Sequence, residues 1–141
     1  MSFDLPQDAA AFVPHRKPML LIDAITECSA TSGAANATLT ADNLFLDAQG
    51  ALQASALLEM MAQTYAAVRG YFDTLQGKSV SAGYLVGMRQ ANIYTLPVVG
   101  DTLRIAVDIT GAFDGFIVAT GTVSHLETIY ASGTLKLWIP R

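Results

Sequence analysis

The sequence predicts an α+β fold in which one antiparallel sheet wraps a single long helix, and three observations predict it. The stretch from Gln53 to Phe72, QASALLEMMAQTYAAVRGYF, is a run of strong helix formers that no Pro interrupts. On both sides of it, apolar and polar residues alternate between Gly and Pro punctuation, which is the period of strands. The chain, residues 1–141, has the length of one domain, large enough to bury a core without disulfides or metals. An order of strand, strand, long helix, several strands leaves the helix as the filling of the sheet.

Each element has a local reason. Between Met1 and Val13, Asp8 stands ahead of three alanines and Phe12, where it can cap a short helix ending before Pro14. This segment is expected to form a lid or an edge. Pro14 and Pro18 then fix the backbone around His15-Arg16-Lys17, and an apolar strand is expected from Met19 to Cys28. Ser29 to Gly33 reads as a turn. Ala34 to Thr40 reads as the returning strand of a hairpin, with Asn36, Thr38 and Thr40 opposite in face to Ala35, Ala37 and Leu39. Asp42 to Gly50 bridges into the helix, and Asp47 with Gly50 fits positions i and i+3 of a type I turn.

Past the helix, Gly77 is the expected stop, and Val80 to Ile139 is expected to form an antiparallel meander. Leu103, Ile105, Val107 and Ile109 share one face of a strand. Ile129, Ala131, Gly133, Leu135, Leu137 and Ile139 share one face of another. Phe113-Asp114-Gly115 and His125-Leu126-Glu127 fall at hairpin ends.

Composition narrows the function classes. Hydrophobic residues make up 52% and charged residues 14%, with mean hydropathy +0.38, so part of the surface is expected to be covered by another subunit in a homodimer or larger homo-oligomer. Net charge is −4, and no Lys/Arg cluster exceeds Arg16-Lys17, which argues against nucleic-acid partners. The helix is apolar on almost every side, but Glu59 and Arg69 interrupt it, so no membrane span is expected. Cys28 is the one cysteine and cannot form an internal disulfide; with no basic amino-terminal region, a cytoplasmic location is expected. There is no phosphate loop, dinucleotide fingerprint, HExxH or GxSxG, and the two histidines are far apart, so neither a metal nor a bound cofactor is expected.

Chemistry is sought first at Glu59. Burial would raise the pKa of a helix carboxylate and suit it to act as a general acid, while a glutamate facing solvent through a gap in the sheet is the plainer alternative. Ser55, Glu59 and Gln63 recur every four residues and form one polar line on the helix. His15 sits at a corner that Pro14 and Pro18 stiffen, either as a pre-positioned proton acceptor or as a turn histidine satisfied by backbone. Asp47 is either part of a site or explained by its turn. Cys28 reads as a small core residue, since nothing beside it would lower its pKa.

Several segments together resemble the β-hydroxyacyl-[acyl-carrier-protein] dehydratases of the hotdog fold. Pro14 to Asp23, PHRKPMLLID, is similar to that family's PHRxPxLLxD opening, and Leu58 to Gln63, LEMMAQ, to its LEAMAQ helix segment. Tyr84 to Ala91 and Leu96 to Asp101 resemble its AGIxxARF strand and PVxPGD turn. The resemblance implies a hotdog domain, a catalytic Glu59 and a substrate-binding role for Gln63. It also departs from the family at one point. The Gly-His-Phe-Pro loop that carries the usual catalytic histidine reads Leu46-Asp47-Ala48-Gln49-Gly50-Ala51 here, which is more similar to a divergent branch found with aryl polyene biosynthesis.

In that branch His15 is expected to act as the base and Glu59 as the acid, dehydrating 3-hydroxyacyl thioesters carried on acyl carrier protein or coenzyme A. Backbone N–H groups near Ser55 would hold the thioester oxygen. Leu85, Met88 and Met60 would line an acyl tunnel, with Asp47 close to the substrate. Arg16, Lys17 and Arg89 would dock the acidic carrier protein and its phosphopantetheine arm. Two other readings stand beside this one. A hotdog thioesterase would use Glu59 to activate water, and a non-catalytic subunit would bind carrier protein or complete a heteromeric dehydratase.

Overall fold

The structure is a computed structural model that describes residues 4–79 and 83–140. Seven strands flank one helix: β1 (Gln7–Asp8), β2 (Ala24–Cys28), β3 (Ser32–Thr38), α1 (Ala54–Leu75), β4 (Tyr84–Ile93), β5 (Thr102–Phe113), β6 (Phe116–His125) and β7 (Thr128–Trp138). They form one antiparallel sheet in the order β1-β2-β3-β5-β6-β7-β4. The sheet curls around α1, as expected. Its inner face presents Leu103, Ile105 and Val107 of β5, Val123 of β6 and Leu135 of β7, packed with Leu57, Met60 and Met61 of the helix in one buried cluster. Gly121 allows the closest approach: a Cβ there would stand 2.8 Å from Met61 Sδ.

The amino-terminal segment is an edge. Asp8 Oδ1 accepts the Ala10 N–H at 3.0 Å and caps a 3-10 turn at Ala9–Ala11, while Gln7 and Asp8 pair with β2. The expected strand from Met19 is shorter than its apolar run, because backbone groups before Ala24 find other partners. The N–H groups of Met19 and Leu20 turn back to the Arg16 carbonyl, and the Leu21 N–H goes to a helix side chain. β2 begins at Ala24, just after the Asp23 N–H has bonded the Asn36 carbonyl of β3 at 2.8 Å.

The helix runs three residues past Phe72. Thr74 Oγ1 donates to the Gly70 carbonyl, and the end comes where Gly77 takes φ +73° and the N–H groups of Gly77 and Lys78 return to the carbonyls of Thr74 and Asp73. The extended pattern expected from Val80 begins outside the described residues and is a strand from Tyr84. β5, β6 and β7 form the expected meander, with Asp114-Gly115 and Leu126-Glu127 at the hairpin ends.

Two expectations need correction. β4 does not continue into β5 but lies at the far edge of β7, because the chain from Tyr94 to Asp101 crosses to the other side of the fold, where Leu52 N–H binds the Pro97 carbonyl and Leu39 N–H the Asp101 carbonyl. Ile129 is 50% exposed and does not share the buried face of Ala131 to Leu137, since the β6–β7 register shifts between Val123 and Ser124. Among the described residues, no helix is long and apolar enough to cross a membrane.

Candidate active site

The site is built where the charged corner meets the helix. Arg16 Nη1 donates to the carbonyls of Val13 (2.8 Å) and His15 (2.7 Å), which stiffens the corner from within. Gln63 ties it to α1. Its Nε2 donates to the Met19 carbonyl at 2.9 Å and to Glu59 Oε1 at 3.1 Å, and its Oε1 accepts the Leu21 N–H at 2.8 Å. Gln63 is only 1% exposed, so the amide is consumed in holding backbone and carboxylate together. The result is that His15 Nε2 lies 3.7 Å from Glu59 Oε1. Among the described residues His15 Nδ1, shut off from solvent, has no hydrogen-bond partner, and Nε2 is the ring nitrogen turned to the carboxylate.

Glu59 is not the dry carboxylate expected from its apolar neighbours: its side chain is 43% exposed. The reason is geometric. The sheet covers most of α1 but leaves open the stripe Glu59, Ala62, Ala66, Arg69, and this stripe forms the floor of a cavity of about 560 Å³. His15 and Glu59 stand in its lining, Ile109, Ile117 and Leu137 form apolar walls from the sheet, and Arg69 lies further along the helix. Arg69 Nε pairs with Asp73 Oδ1 at 3.3 Å, and the guanidinium also rests over the Phe72 ring. Burial pushes the Tyr65 phenol up, with Arg69 pulling it down and Asp73 adding to the rise, so Tyr65 stays protonated. Burial likewise pushes the Cys28 thiol up against the pull of Arg69, which leaves it a poor nucleophile.

Among the other residues singled out by sequence, Leu85 lines the cavity. Met60 is fully buried in the core and Met88 packs toward Gly133; neither lines the cavity. Ser55 is exposed in the first turn of α1, whose N-cap Gln53 does not cap the helix with its side chain. Asp47 is exposed and outside the cavity. Its Oδ1 accepts the N–H groups of Gln49 (2.9 Å) and Ala51 (3.0 Å), and Gly50 takes φ +78°, so the turn accounts for it. Lys17 and Arg89 are exposed, whereas Arg16 is engaged in the corner. Tyr65, Arg69 and Asp73, four residues apart on α1, also line the cavity and are not among the residues expected from sequence; Asp73 falls past the expected helix end at Phe72. No group of three His, Cys, Asp or Glu among the described residues could hold a metal ion.

Comparison with known proteins decides the family. Residues 7–141 match the family model described as ApeP-like, ApeP dehydratase. The chain belongs to the ApeP-like dehydratase family. The resemblance carried by the PHR corner and the LEMMAQ segment is thereby borne out. One relative, the uncharacterised protein YcsD of Bacillus subtilis (strain 168), is 29% identical over 131 residues, covering 92% of this chain and 96% of that protein. The solved dehydratase heterocomplex ApeI:P from Xenorhabdus doucetiae matches with a TM-score of 0.88 at 24% identity, over 96% of this chain and 92% of that one. A hypothetical thioesterase from Streptococcus pneumoniae TIGR4, solved with coenzyme A, matches with a TM-score of 0.67 at 13% identity, over 82% and 84%. These likenesses place the ApeP-like chain in the hotdog fold.

The three bonds of Gln63 yield a first prediction for this ApeP-like chain. Gln63→Leu leaves the buried Leu21 N–H without its partner, at roughly 1–3 kcal/mol, and takes the Gln63 donor from the part-buried Met19 carbonyl as well. Urea denaturation should show that loss, and activity should fall with it as His15 drifts from Glu59. A variant as stable and as active as wild type would mean the corner holds without this amide.

Proposed function

We propose that this ApeP-like chain dehydrates 3-hydroxyacyl thioesters carried on acyl carrier protein to trans-2-enoyl thioesters. The observation that carries the reading is the approach of His15 Nε2 to Glu59 Oε1, 3.7 Å, at one end of a cavity with apolar walls from the sheet. Elimination of water needs a base for the C2 proton and an acid for the departing 3-hydroxyl. His15 removes the C2 proton, the electron pair forms the C2–C3 double bond, and Glu59 protonates the hydroxyl so that it leaves as water. The cycle ends with His15 protonated and Glu59 ionised. Their closeness lets the proton pass back and restores both groups.

In this reading the thioester oxygen is held by backbone N–H groups of the first turn near Ser55, one turn before Glu59, where the helix dipole favours developing negative charge. The acyl chain lies along Ala62 and Ala66, and no cofactor is needed beyond the carrier's phosphopantetheine arm. The half-exposed Glu59 becomes drier once substrate fills the cavity, which strengthens its interactions there. Appearance of enoyl thioester from 3-hydroxyacyl carrier protein tests the reading; no product at any chain length would sink it.

Carrier docking falls to Lys17 and Arg89, with Arg16 fixing the corner between them and the site. Such a contact is electrostatic, so affinity for an acidic carrier should weaken several-fold between low and physiological salt and should lose that dependence in the Lys17→Glu, Arg89→Glu double variant. A carrier affinity indifferent to salt in the wild type would count against this surface.

Assembly follows from the edge strand. Tyr84, Leu85, Val86 and Ile93 on β4 are all exposed, and among the described residues β4 has a neighbour on one side only. A second hotdog subunit, of the same or a related chain, would cover this apolar edge. The ApeI:P match, a heterocomplex, supports a heteromeric form of this arrangement.

A further inference from the structure

The cavity is polar at both ends. Away from His15 and Glu59, its lining includes Tyr65, Arg69 and Asp73, which stand at successive four-residue steps along α1. Between the two ends the lining is apolar, with Ala62 and Ala66 on the helix facing Ile109, Ile117 and Leu137 on the sheet. Positions 59 and 69 are ten residues apart on one helix, so the two ends lie on the order of 15 Å apart along its axis.

The far end is more than an ion pair on a helix surface. Asp73 is the sheltered partner, its side chain 8% exposed against 38% for Arg69, so the guanidinium is the member that reaches open space. The closest contact of the pair is Arg69 Nε to Asp73 Oδ1 at 3.3 Å, and among the described residues the Arg69 Nη groups make no hydrogen bond. Tyr65 is 5% exposed and lines the same cavity, and its hydroxyl likewise makes no hydrogen bond among the described residues. A phenol that is nine-tenths buried and an open guanidinium edge are donors waiting for an oxygen.

Charge selects which oxygen. Arg69 and Asp73 neutralise one another, and an incoming carboxylate would meet the Asp73 carboxylate as a like charge. A neutral hydroxyl fits all three groups, accepting from Arg69 or Tyr65 and donating to Asp73. We propose that this end of the cavity is a subsite for a hydroxyl at the ω end of the acyl chain, which makes Tyr65 and Arg69 specificity-determining residues. The proposal rests on the reading of the cavity as the acyl site.

Calorimetric binding tests it without turnover, using saturated thioesters that lack the 3-hydroxyl: decanoyl-pantetheine, ω-hydroxydecanoyl-pantetheine and ω-carboxydecanoyl-pantetheine. Wild type should bind the ω-hydroxy ligand about tenfold more tightly than the methyl-ended one. In Tyr65→Phe and in Arg69→Met that ratio should fall toward one. A purely structural role for these residues would shift both affinities together and leave the ratio unchanged, so the ratio is informative even if a variant is less stable. Equal affinities in wild type, a ratio that survives both variants, or tightest binding of the ω-carboxy ligand would each overturn the proposal. If the methyl-ended ligand binds and the ratio is one, the subsite alone fails; if no acyl ligand binds, the acyl-cavity reading fails and takes the subsite with it.

Discussion

Glu59→Gln is expected to lower dehydration by roughly 10²–10⁴-fold, because the amide has no proton to give the leaving hydroxyl. The change is otherwise mild. Gln63 Nε2 donates to Glu59 Oε1 at 3.1 Å, and the oxygen of the new amide can accept the same bond. The side chain is half-exposed, so its replacement costs little stability and thermal unfolding should stay close to wild type. An acid acts in the transition state and contributes little to ground-state binding, so kcat and kcat/KM should fall together while KM changes little. A variant that turns over at the wild-type rate would remove Glu59 from the chemistry.

His15→Ala should lose a comparable factor, since the imidazole that takes the C2 proton is gone. Among the described residues His15 Nδ1 has no hydrogen-bond partner, and the corner is held by Arg16 and Gln63 rather than by the imidazole, so the variant should fold and assemble normally. Because both side chains serve one step, the double variant should be little worse than either single one, far from the product of the two losses. Steady-state rates alongside a size measurement decide this. An unaffected rate in His15→Ala would shift attention to Asp47 despite its turn bonds.

Much of this arrangement is legible in the chain, and where it is not the reason is physical. The helix, the hairpin ends at Asp114-Gly115 and Leu126-Glu127, and the Asp8 cap follow from local propensity and turn chemistry, which adjacent residues encode. The late strand start at Ala24 was not legible, because the Leu21 N–H is taken by Gln63, forty-two residues away. Nor was the place of β4 beside β7, since alternation along a strand says which face is buried and nothing about which neighbour it takes. At the site, the spacing of Ser55, Glu59 and Gln63 marks a polar line, but that Gln63 serves the backbone and Glu59 stays half-open emerges only when the sheet is seen to leave one stripe of the helix uncovered. Tyr65, Arg69 and Asp73 were hidden for the opposite reason: as single polar residues on a long helix they look like ordinary surface, and the cavity alone brings them together.

The pairing of His15 with Glu59 as base and acid is tested most directly by intact-mass spectrometry of a 3-hydroxyacyl carrier protein incubated with the purified chain and with Glu59→Gln. The account predicts that the acyl group loses the mass of one water with wild type and keeps it with the variant. Release of free carrier thiol, the mark of a thioesterase, or an acyl mass unchanged by wild type at every chain length would contradict it.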